Sequence, residues 1–151
     1  MKRPGRMPRA TAKSPQVNRS LASKIKAANA TLITNGDLDA VGEFFTTDYV
    51  AHLTDGDMAG GPGAIRRFLG LLQRAFANIQ IEVDILVEGK DRVAWQRTLR
   101  GIHRGPFKGF PASGRQIVWR DMVTSRFRDG RIAEDWVITD LAERLLLARK
   151  R

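Results

Sequence analysis

Two histidines and two aspartates are the strongest candidates for chemistry in this sequence. Asp121 and Asp135 lie in the last two long segments in which polar and apolar residues alternate, and His52 and His103 lie near the ends of two earlier ones. Two carboxylates in one apolar pocket raise each other's proton affinity, so one can act as an acid while the other acts as a base. We therefore predict general acid/base catalysis by Asp121 and Asp135.

Several other chemistries lack the residues they need. The chain has no cysteine, which excludes cysteine nucleophiles, disulfides and thiolate zinc sites. The two histidines do not have the spacing of a zinc motif, and no phosphate-binding loop, dinucleotide fingerprint or serine-hydrolase elbow is present. Gly60 to Gly63 lack the lysine and threonine of a phosphate loop and indicate a helix entry instead. We expect neither a metal nor a cofactor.

The positive charge is concentrated at the chain ends. The net charge is +10, yet residues 1–36 hold eight basic residues and no acid, and residues 149–151 add three more basic residues. The remaining 112 residues carry 15 basic and 16 acidic side chains. This neutral body argues against nucleic-acid binding, which requires a basic folded surface. Residues 1–13 are predicted to form a disordered basic tail, and residues 14–151 a single domain.

No segment of the sequence is predicted to enter a membrane. The longest apolar stretches, such as residues 68–72, fall far short of the roughly 18 residues that a spanning helix needs. The basic N-terminal segment is not followed by the apolar core of a signal peptide. We expect a cytoplasmic protein.

The apolar spacing predicts helices first and strands afterwards. A helix begins at Ser14-Pro15 and ends at Asn35-Gly36, a second begins at Asp37 and includes Phe45, a third contains Ile65 to Phe76, and a short one follows Asp140. Strands are predicted at 49–53, from Ile79 to Val87, and at 92–103, 115–127 and 131–139. This order favours an α+β fold in which helices cover one face of a curved antiparallel sheet and enclose a pocket.

Residues 101–115, with the later segment from Arg126 to Trp136, resemble the SnoaL-like polyketide cyclase family, also called ester cyclases. The segment from Asn35 through Tyr49 to His52 resembles the same family, so the similarity extends from about residue 20 to 147. The resemblance implies the cone-shaped α+β barrel shared with ketosteroid isomerase, scytalone dehydratase and limonene epoxide hydrolase. It also implies cofactor-free ring closure of a polyketide ester by an intramolecular aldol reaction.

The chain departs from these cyclases at their catalytic positions. Their aspartate aligns near Val137 and their histidine near Val123, and valine cannot transfer a proton. Where many relatives have Glu-His-Trp, this chain has Glu134-Asp135-Trp136. The resemblance therefore implies the fold more directly than the reaction.

The register of the last hairpin decides which residues share a face with Val123 and Val137, the face that the resemblance implies lines the pocket. A three-residue loop with Gly130 in a left-handed bulge pairs Phe127 with Arg131, which puts Asp121 diagonally across from Asp135, about 7 Å or less away. A two-residue turn would instead put the two aspartates on opposite faces. A further alternative is that Arg97 neutralises one aspartate in a buried ion pair. The predicted pocket also contains Tyr49, His52, Trp95, His103, Trp119, Val123 and Val137.

These observations favour a small enzyme that acts on a hydrophobic, carbonyl-containing molecule. Epoxide opening or hydration could use the same carboxylates, and the alternative from another class is a non-catalytic module that binds a small ligand or a partner. The opposite face of the last two strands is apolar at Val118, Met122, Trp136 and Ile138. We therefore also predict a homodimer that covers this face.

Overall fold

The computed structural model describes residues 20–149, which form helices and one sheet. The helices are α1 (Leu21–Asn29), which continues as a π-helical segment (Ala30–Thr34), then a short 3₁₀ turn (Leu38–Ala40), α2 (Val41–Phe44), α3 (Gly61–Ala75) and α4 (Leu141–Arg149). The predicted tail at residues 1–13 and the predicted helix start at Ser14-Pro15 lie outside the described residues. Within them, Ser20 caps α1 by accepting a hydrogen bond from the Ser23 backbone N–H.

Six strands form one open sheet. They are β1 (Phe45–Leu53), β2 (Gly56–Met58), β3 (Phe76–Glu88), β4 (Arg92–His103), β5 (Gln116–Arg128) and β6 (Arg131–Thr139). Their order in the sheet is β2-β1-β6-β5-β4-β3. The α+β prediction is confirmed, but the sheet is mixed rather than purely antiparallel, because β1 pairs with β6 in the parallel direction.

The helices cover the face of the sheet formed by odd-numbered residues of β4 and β5 and, after Ala133, of β6, which we call the inner face; Ile132, which precedes Ala133, also lies on this face. Side chains from α1, α3 and α4 pack there with Trp95, Leu99 and Trp119 in the main hydrophobic core. The even-numbered residues of the same segments form the outer face, apart from Ile132. None of the helices between residues 20 and 149 is long and apolar enough to cross a membrane.

Two predicted helices end earlier than their apolar spacing indicates. Phe45 and Phe76 continue the apolar stripes of α2 and α3, but each is the first residue of a strand with extended backbone angles. Both side chains are buried, at 9% and 2% exposure. Since an aromatic side chain can be buried in the core from either a helix or a strand, the apolar stripe alone does not show where the helix ends.

The glycine-rich loop before α3 allows the helix to start directly against β1. Gly61 has a φ of +61°, and a Cβ atom there would lie 2.3 Å from the carbonyl oxygen of Thr47. A side chain at this position would therefore clash with backbone, which explains the local requirement for glycine.

The turn between β5 and β6 differs from the predicted one. Asp129 and Gly130 have positive φ angles of 52° and 79°, as in the two-residue type I′ turns that Asp-Gly favours. Phe127 pairs with Ile132, and not with Arg131, while Arg126 pairs with Glu134. Ala133 is therefore an extra residue, a β-bulge, and it restores the odd-with-odd pairing that the tight turn alone would have reversed.

Candidate active site

A cavity of about 270 Å³ lies between the helices and the inner face of the sheet. Apolar side chains supply most of its wall, including Ile25 and Leu32 from the first helical segment, Leu69 and Leu72 from α3, and Leu145 from α4. Asp55 and Lys108 also line it; they are largely exposed and form an ion pair of 2.9 Å. We therefore place the rim of the cavity at this pair.

The inner face presents its side chains to the cavity in layers across β4, β5 and β6. One layer contains Ser125 and Asp135, the next contains Trp95, Val123 and Val137, and a third contains Arg97, Asp121 and Thr139. Polar groups occupy the two outer layers, and apolar side chains separate them.

Asp135 is buried, at 7% exposure, and both of its carboxylate oxygens accept hydrogen bonds from neutral donors. The Tyr49 hydroxyl donates to Oδ2 at 2.6 Å, and the Ser125 hydroxyl donates to Oδ1 at 2.5 Å. The indole Nε1 of Trp95 donates in turn to the Ser125 oxygen at 3.0 Å, which directs the serine proton toward the carboxylate. Tyr49 reaches this position because β1 lies parallel to β6, with Ala51 opposite Asp135.

The environment of Asp135 strengthens it as a base. Burial raises the pKa of Asp135 above its usual value, and this effect exceeds the opposing effects of the Ser125 and Tyr49 hydrogen bonds and of the more distant Arg97 charge. Burial, followed by the neighbouring Asp135 charge, also raises the pKa of Tyr49, so the phenol stays protonated and remains a donor. A carboxylate with a raised pKa that faces an apolar cavity is suited to accept a proton from a ligand.

Asp121 is held differently, by a cation. Arg97 lies directly opposite it on β4, and the guanidinium Nε donates to Asp121 Oδ2 at 2.8 Å. A second guanidinium nitrogen, Nη1, donates to Asn29 Oδ1 at 3.0 Å. The ion-pair alternative considered from the sequence is thus the observed arrangement of Asp121.

The predicted diagonal contact between the two aspartates is wrong. Asp135 is opposite Ser125, and Asp121 is opposite Thr139. The two carboxylates are therefore separated by four residues along the sheet, on the order of 13 Å at the backbone. They share the inner face because of the Ala133 bulge, but the layer of Trp95, Val123 and Val137 lies between them.

His52 does not line the cavity, contrary to the prediction. On β1 its neighbours Ala51 and Leu53 face the cavity, and His52 points to the outer face, where its ring stacks on Trp136. Its ring nitrogens lie 2.9 Å from Asp57 and 2.6 Å from Glu134. The hydrogen bonds of these carboxylates raise the pKa of His52, which favours the imidazolium.

His103 also lies outside the cavity, although it is only 1% exposed. Its ring stacks on Phe76, which separates it from the cavity-lining residues Phe107 and Trp119. The Ser113 backbone N–H donates to His103 Nδ1 at 3.3 Å. Burial lowers the pKa of His103, so the neutral imidazole has a structural role in holding the loop after β4.

The remaining predicted pocket residues, Tyr49, Trp95, Trp119, Val123 and Val137, do line the cavity, as do Asp121 and Asp135. Sequence reasoning missed Ser125 and Asn29. The signal for Ser125 was the Asp129-Gly130 dipeptide followed by two adjacent apolar residues, Ile132-Ala133, which together indicate a tight turn and a bulge. Across residues 20–149, no three His, Asp or Glu side chains are grouped closely enough to hold a metal ion.

Comparisons with known proteins identify the relatives of this chain and its fold. The sequence profile of the SnoaL-like polyketide cyclase family matches residues 23–146. A search of curated proteins found no match. Among solved structures, IdmH from Streptomyces antibioticus, a candidate polyketide cyclase, is 30% identical, with a TM-score of 0.70 over 86% of this chain and 98% of its own.

Two further structures share the fold at lower identity. AclR from Streptomyces galilaeus, described as a candidate hydroxylase, is 24% identical, with a TM-score of 0.72 over 87% of this chain and 99% of its own. TsrD from Streptomyces laurentii is 22% identical, with a TM-score of 0.71 over 82% and 92% of the two chains. The profile match, the 30% identity to IdmH over nearly its full length and the shared fold together show that this chain belongs to the SnoaL-like polyketide cyclase family.

Proposed function

We propose that this protein is a cofactor-free enzyme that removes a proton from a carbon next to a carbonyl group in a hydrophobic small molecule. Asp135 is the base. The observation that carries this proposal is the enclosed Asp135 carboxylate, which faces an apolar cavity and has only neutral donors in hydrogen-bond contact.

The proposed step is the first half of an aldol ring closure. Asp135 takes the proton from the carbon, and the electron pair of the C–H bond forms an enolate. The enolate carbon then attacks a second carbonyl carbon of the same molecule, a C–C bond forms, and the second carbonyl oxygen takes up the electron pair of its π bond. The proton held by Asp135 returns to that oxygen, so the ring closure is an isomerisation that needs no other reactant.

The layer of Trp95, Val123 and Val137 determines the shape and polarity of the proposed ligand. Val123 and Val137 occupy the positions at which the resemblance placed the catalytic histidine and aspartate of related cyclases, and Asp135 lies two residues before Val137 on the same strand. The acid/base group has therefore moved one layer toward the β5–β6 turn. A flat hydrophobic ring system between Trp95 and the helices would contact Asp135 at its edge.

The test uses 2-tetralone, a hydrophobic ketone with acidic C–H groups, in deuterated buffer. We expect the protein to accelerate exchange of the protons next to the carbonyl, followed by ¹H NMR. Asp135→Asn should lower the exchange rate at least about 10²-fold, the usual size of one general-base contribution. The affinity for 2-tetralone, followed by tryptophan fluorescence, should change little.

Asp84→Asn is the matched control, because Asp84 is an exposed aspartate on the same sheet that accepts a hydrogen bond from Gln96. This variant should accelerate proton exchange of 2-tetralone at the same rate as the wild type. Equal rates in the wild type and Asp135→Asn would show that Asp135 is not the base. Binding of 2-tetralone without any acceleration by the wild type would favour the alternative, a non-catalytic ligand-binding module.

We also propose that the protein forms a homodimer through the outer face. Met122 and Ile138 are neighbours on paired strands, and they are 44% and 69% exposed; Val118, four residues from Met122 on the same face of β5, is 38% exposed. Apolar residues grouped in this way are typical of a contact surface. Light scattering at tens of micromolar should give a dimer mass, and Ile138→Lys should give a monomer; a monomeric wild type would contradict the proposal.

A further inference from the structure

Arg97 brings a positive charge to the wall of a largely apolar cavity. Its side chain is 19% exposed and belongs to the inner face, one strand away from Asp121. Its guanidinium carbon lies 5.4 Å from the centre of the Trp95 ring, a distance that allows cation–π contact. Trp95 belongs to the layer between those of Arg97 and Asp135, so this contact places the guanidinium against the side of its layer that is nearer to Asp135.

Two neighbours fix the orientation of this guanidinium. Asp121 accepts from Nε, and Asn29 accepts from Nη1. Asn29 is itself buried and fixed, because its side-chain nitrogen donates to the Ile25 carbonyl at 2.9 Å. It is the last residue of α1 before the helix widens into the π-helical segment, a feature that often occurs at functional sites.

The third guanidinium nitrogen, Nη2, has no hydrogen-bond partner among residues 20–149. Because two of the three nitrogens are held and the side chain lines the cavity, Nη2 is a fixed donor available to a ligand. Asp121 balances the charge of Arg97, so the cavity wall does not carry an isolated cation. Such a site suits a neutral ligand with an acceptor oxygen.

We infer that Arg97 binds the carbonyl oxygen that becomes negative during the reaction, and that Asp121 and Asn29 are positioning residues that hold it. This inference rests on the proposed function and names its ligand more closely: a neutral hydrophobic ketone or ester whose oxygen points to Arg97 while its acidic C–H group points to Asp135. A fixed donor aimed at a developing oxyanion stabilises the transition state without reorganisation.

The direct test is the infrared stretching frequency of ¹³C-carbonyl-labelled 2-tetralone bound to the protein. A hydrogen bond from Arg97 lowers this frequency relative to 2-tetralone in an apolar solvent. Arg97→Gln should abolish most of the shift. Arg100→Gln is the matched control, because Arg100 is an exposed arginine three residues later on the outer face of the same strand, and it should leave the shift unchanged.

Kinetics give a second readout. Arg97→Gln should lower the turnover number for proton exchange about 10²- to 10³-fold, as loss of one oxyanion donor does, with a much smaller change in KM. Asn29→Ala leaves the Arg97–Asp121 ion pair intact and should lower both the infrared shift and turnover by an intermediate amount. This variant also keeps the inference testable if Arg97→Gln does not fold.

Two results would overturn the inference. One is a carbonyl frequency in the wild type equal to that in apolar solvent, and the other is an unchanged shift in Arg97→Gln. Asp135→Asn separates this inference from the proposed function, because it should retain the infrared shift while it loses exchange. The wild type could also fail to accelerate proton exchange of 2-tetralone while Arg97→Gln still removes the infrared shift. That result would support Arg97 as the residue that binds the carbonyl oxygen, and it would contradict the proposed proton transfer to Asp135.

Discussion

The two aspartates of the inner face have the same side chain and face the same cavity, but their partners differ in kind. Asp135 accepts hydrogen bonds from two hydroxyl groups, and Asp121 accepts one from a guanidinium. Neutral donors leave the cost of burying a charge largely uncompensated, whereas a cation in contact compensates it. Residue type and strand face therefore place both carboxylates at the cavity, whereas the environments of the two carboxylates differ only through their hydrogen-bond partners.

The partners come from different parts of the chain. The hydroxyl donors of Asp135 belong to β1 and β5, and the group that fixes Arg97 beside Asp121 belongs to the end of α1. Each environment therefore depends on contacts between residues far apart in sequence. Substitutions at the two aspartates should therefore differ in their effects on stability and on proton exchange.

Asp121→Asn should destabilise the protein more than any other single change at these two positions. It removes the charge that compensates Arg97 and leaves a partly buried cation without its partner. Breaking a fully buried pair costs about 3–5 kcal/mol; because Arg97 is partly exposed, we expect about 2 kcal/mol, measured by urea denaturation. The double variant with Arg97→Gln should recover much of the loss. A loss no larger than that of Asp135→Asn would contradict the comparison.

Asp135→Asn should increase the free energy of unfolding at neutral pH, whereas Asp121→Asn should decrease it. The pKa of Asp135 is raised in the folded protein above the usual aspartate value of 3.8. The protonated form of Asp135 therefore stabilises the folded state, and this contribution is complete below pH 3.8. It is lost as the pH rises through the raised pKa, because the buried carboxyl then becomes charged. We expect Asp135→Asn to be more stable than the wild type by up to about 1 kcal/mol at neutral pH. Urea denaturation across the pH range should show this advantage shrink toward pH 3.

Tyr49→Phe and Ser125→Ala should change the pH at which Asp135 works. Both hydroxyls lower the pKa of Asp135 by hydrogen bonding to its charged form, so removing either one raises it further. Because Asp135 acts as a base only when ionised, the rise of proton exchange with pH should move to higher pH in both variants. Rate profiles for 2-tetralone exchange measure this, and an unchanged or lower midpoint would count against the assignment.

His52→Gln should have the smallest effect of these substitutions, since the partners of His52, Asp57 and Glu134, are on the outer face and far from the cavity. The pKa of His52 is raised above its usual 6.5, so the stability from this cluster is complete below pH 6.5 and is lost as pH rises through the raised value. Arg126 also bonds Glu134, which reduces the effect. The melting temperature of His52→Gln should lie slightly below that of the wild type in acid and approach it at alkaline pH.

Local patterns in the sequence were enough to predict most elements. Strand β4 runs from Arg92 to His103 and β6 from Arg131 to Thr139, as their alternation indicates. The inner-face positions of Asp121, Val123 and Asp135 also followed from alternation, although the bulge at Ala133 was needed to preserve them. Alternation depends only on residues close together in the sequence, so it can be recognised without knowledge of the rest of the fold.

Long-range pairing was not predictable in the same way. The parallel contact between β1 and β6 brings Tyr49 to Asp135 and turns His52 outward, and no local pattern specifies it. The position of Asn29 depends on the π-helical segment that follows α1, which the apolar spacing does not distinguish from an ordinary helix. The donors that distinguish the two aspartates therefore had to come from the structure.

The most direct test of the central claim is an NMR titration of the aspartate side-chain carboxyl carbons in ¹³C-labelled protein. The wild type should show one carboxyl resonance that titrates clearly above the usual aspartate value of 3.8, and this resonance should be absent from Asp135→Asn and present in Asp84→Asn. If every aspartate carboxyl titrates near or below that value, Asp135 is not a desolvated base.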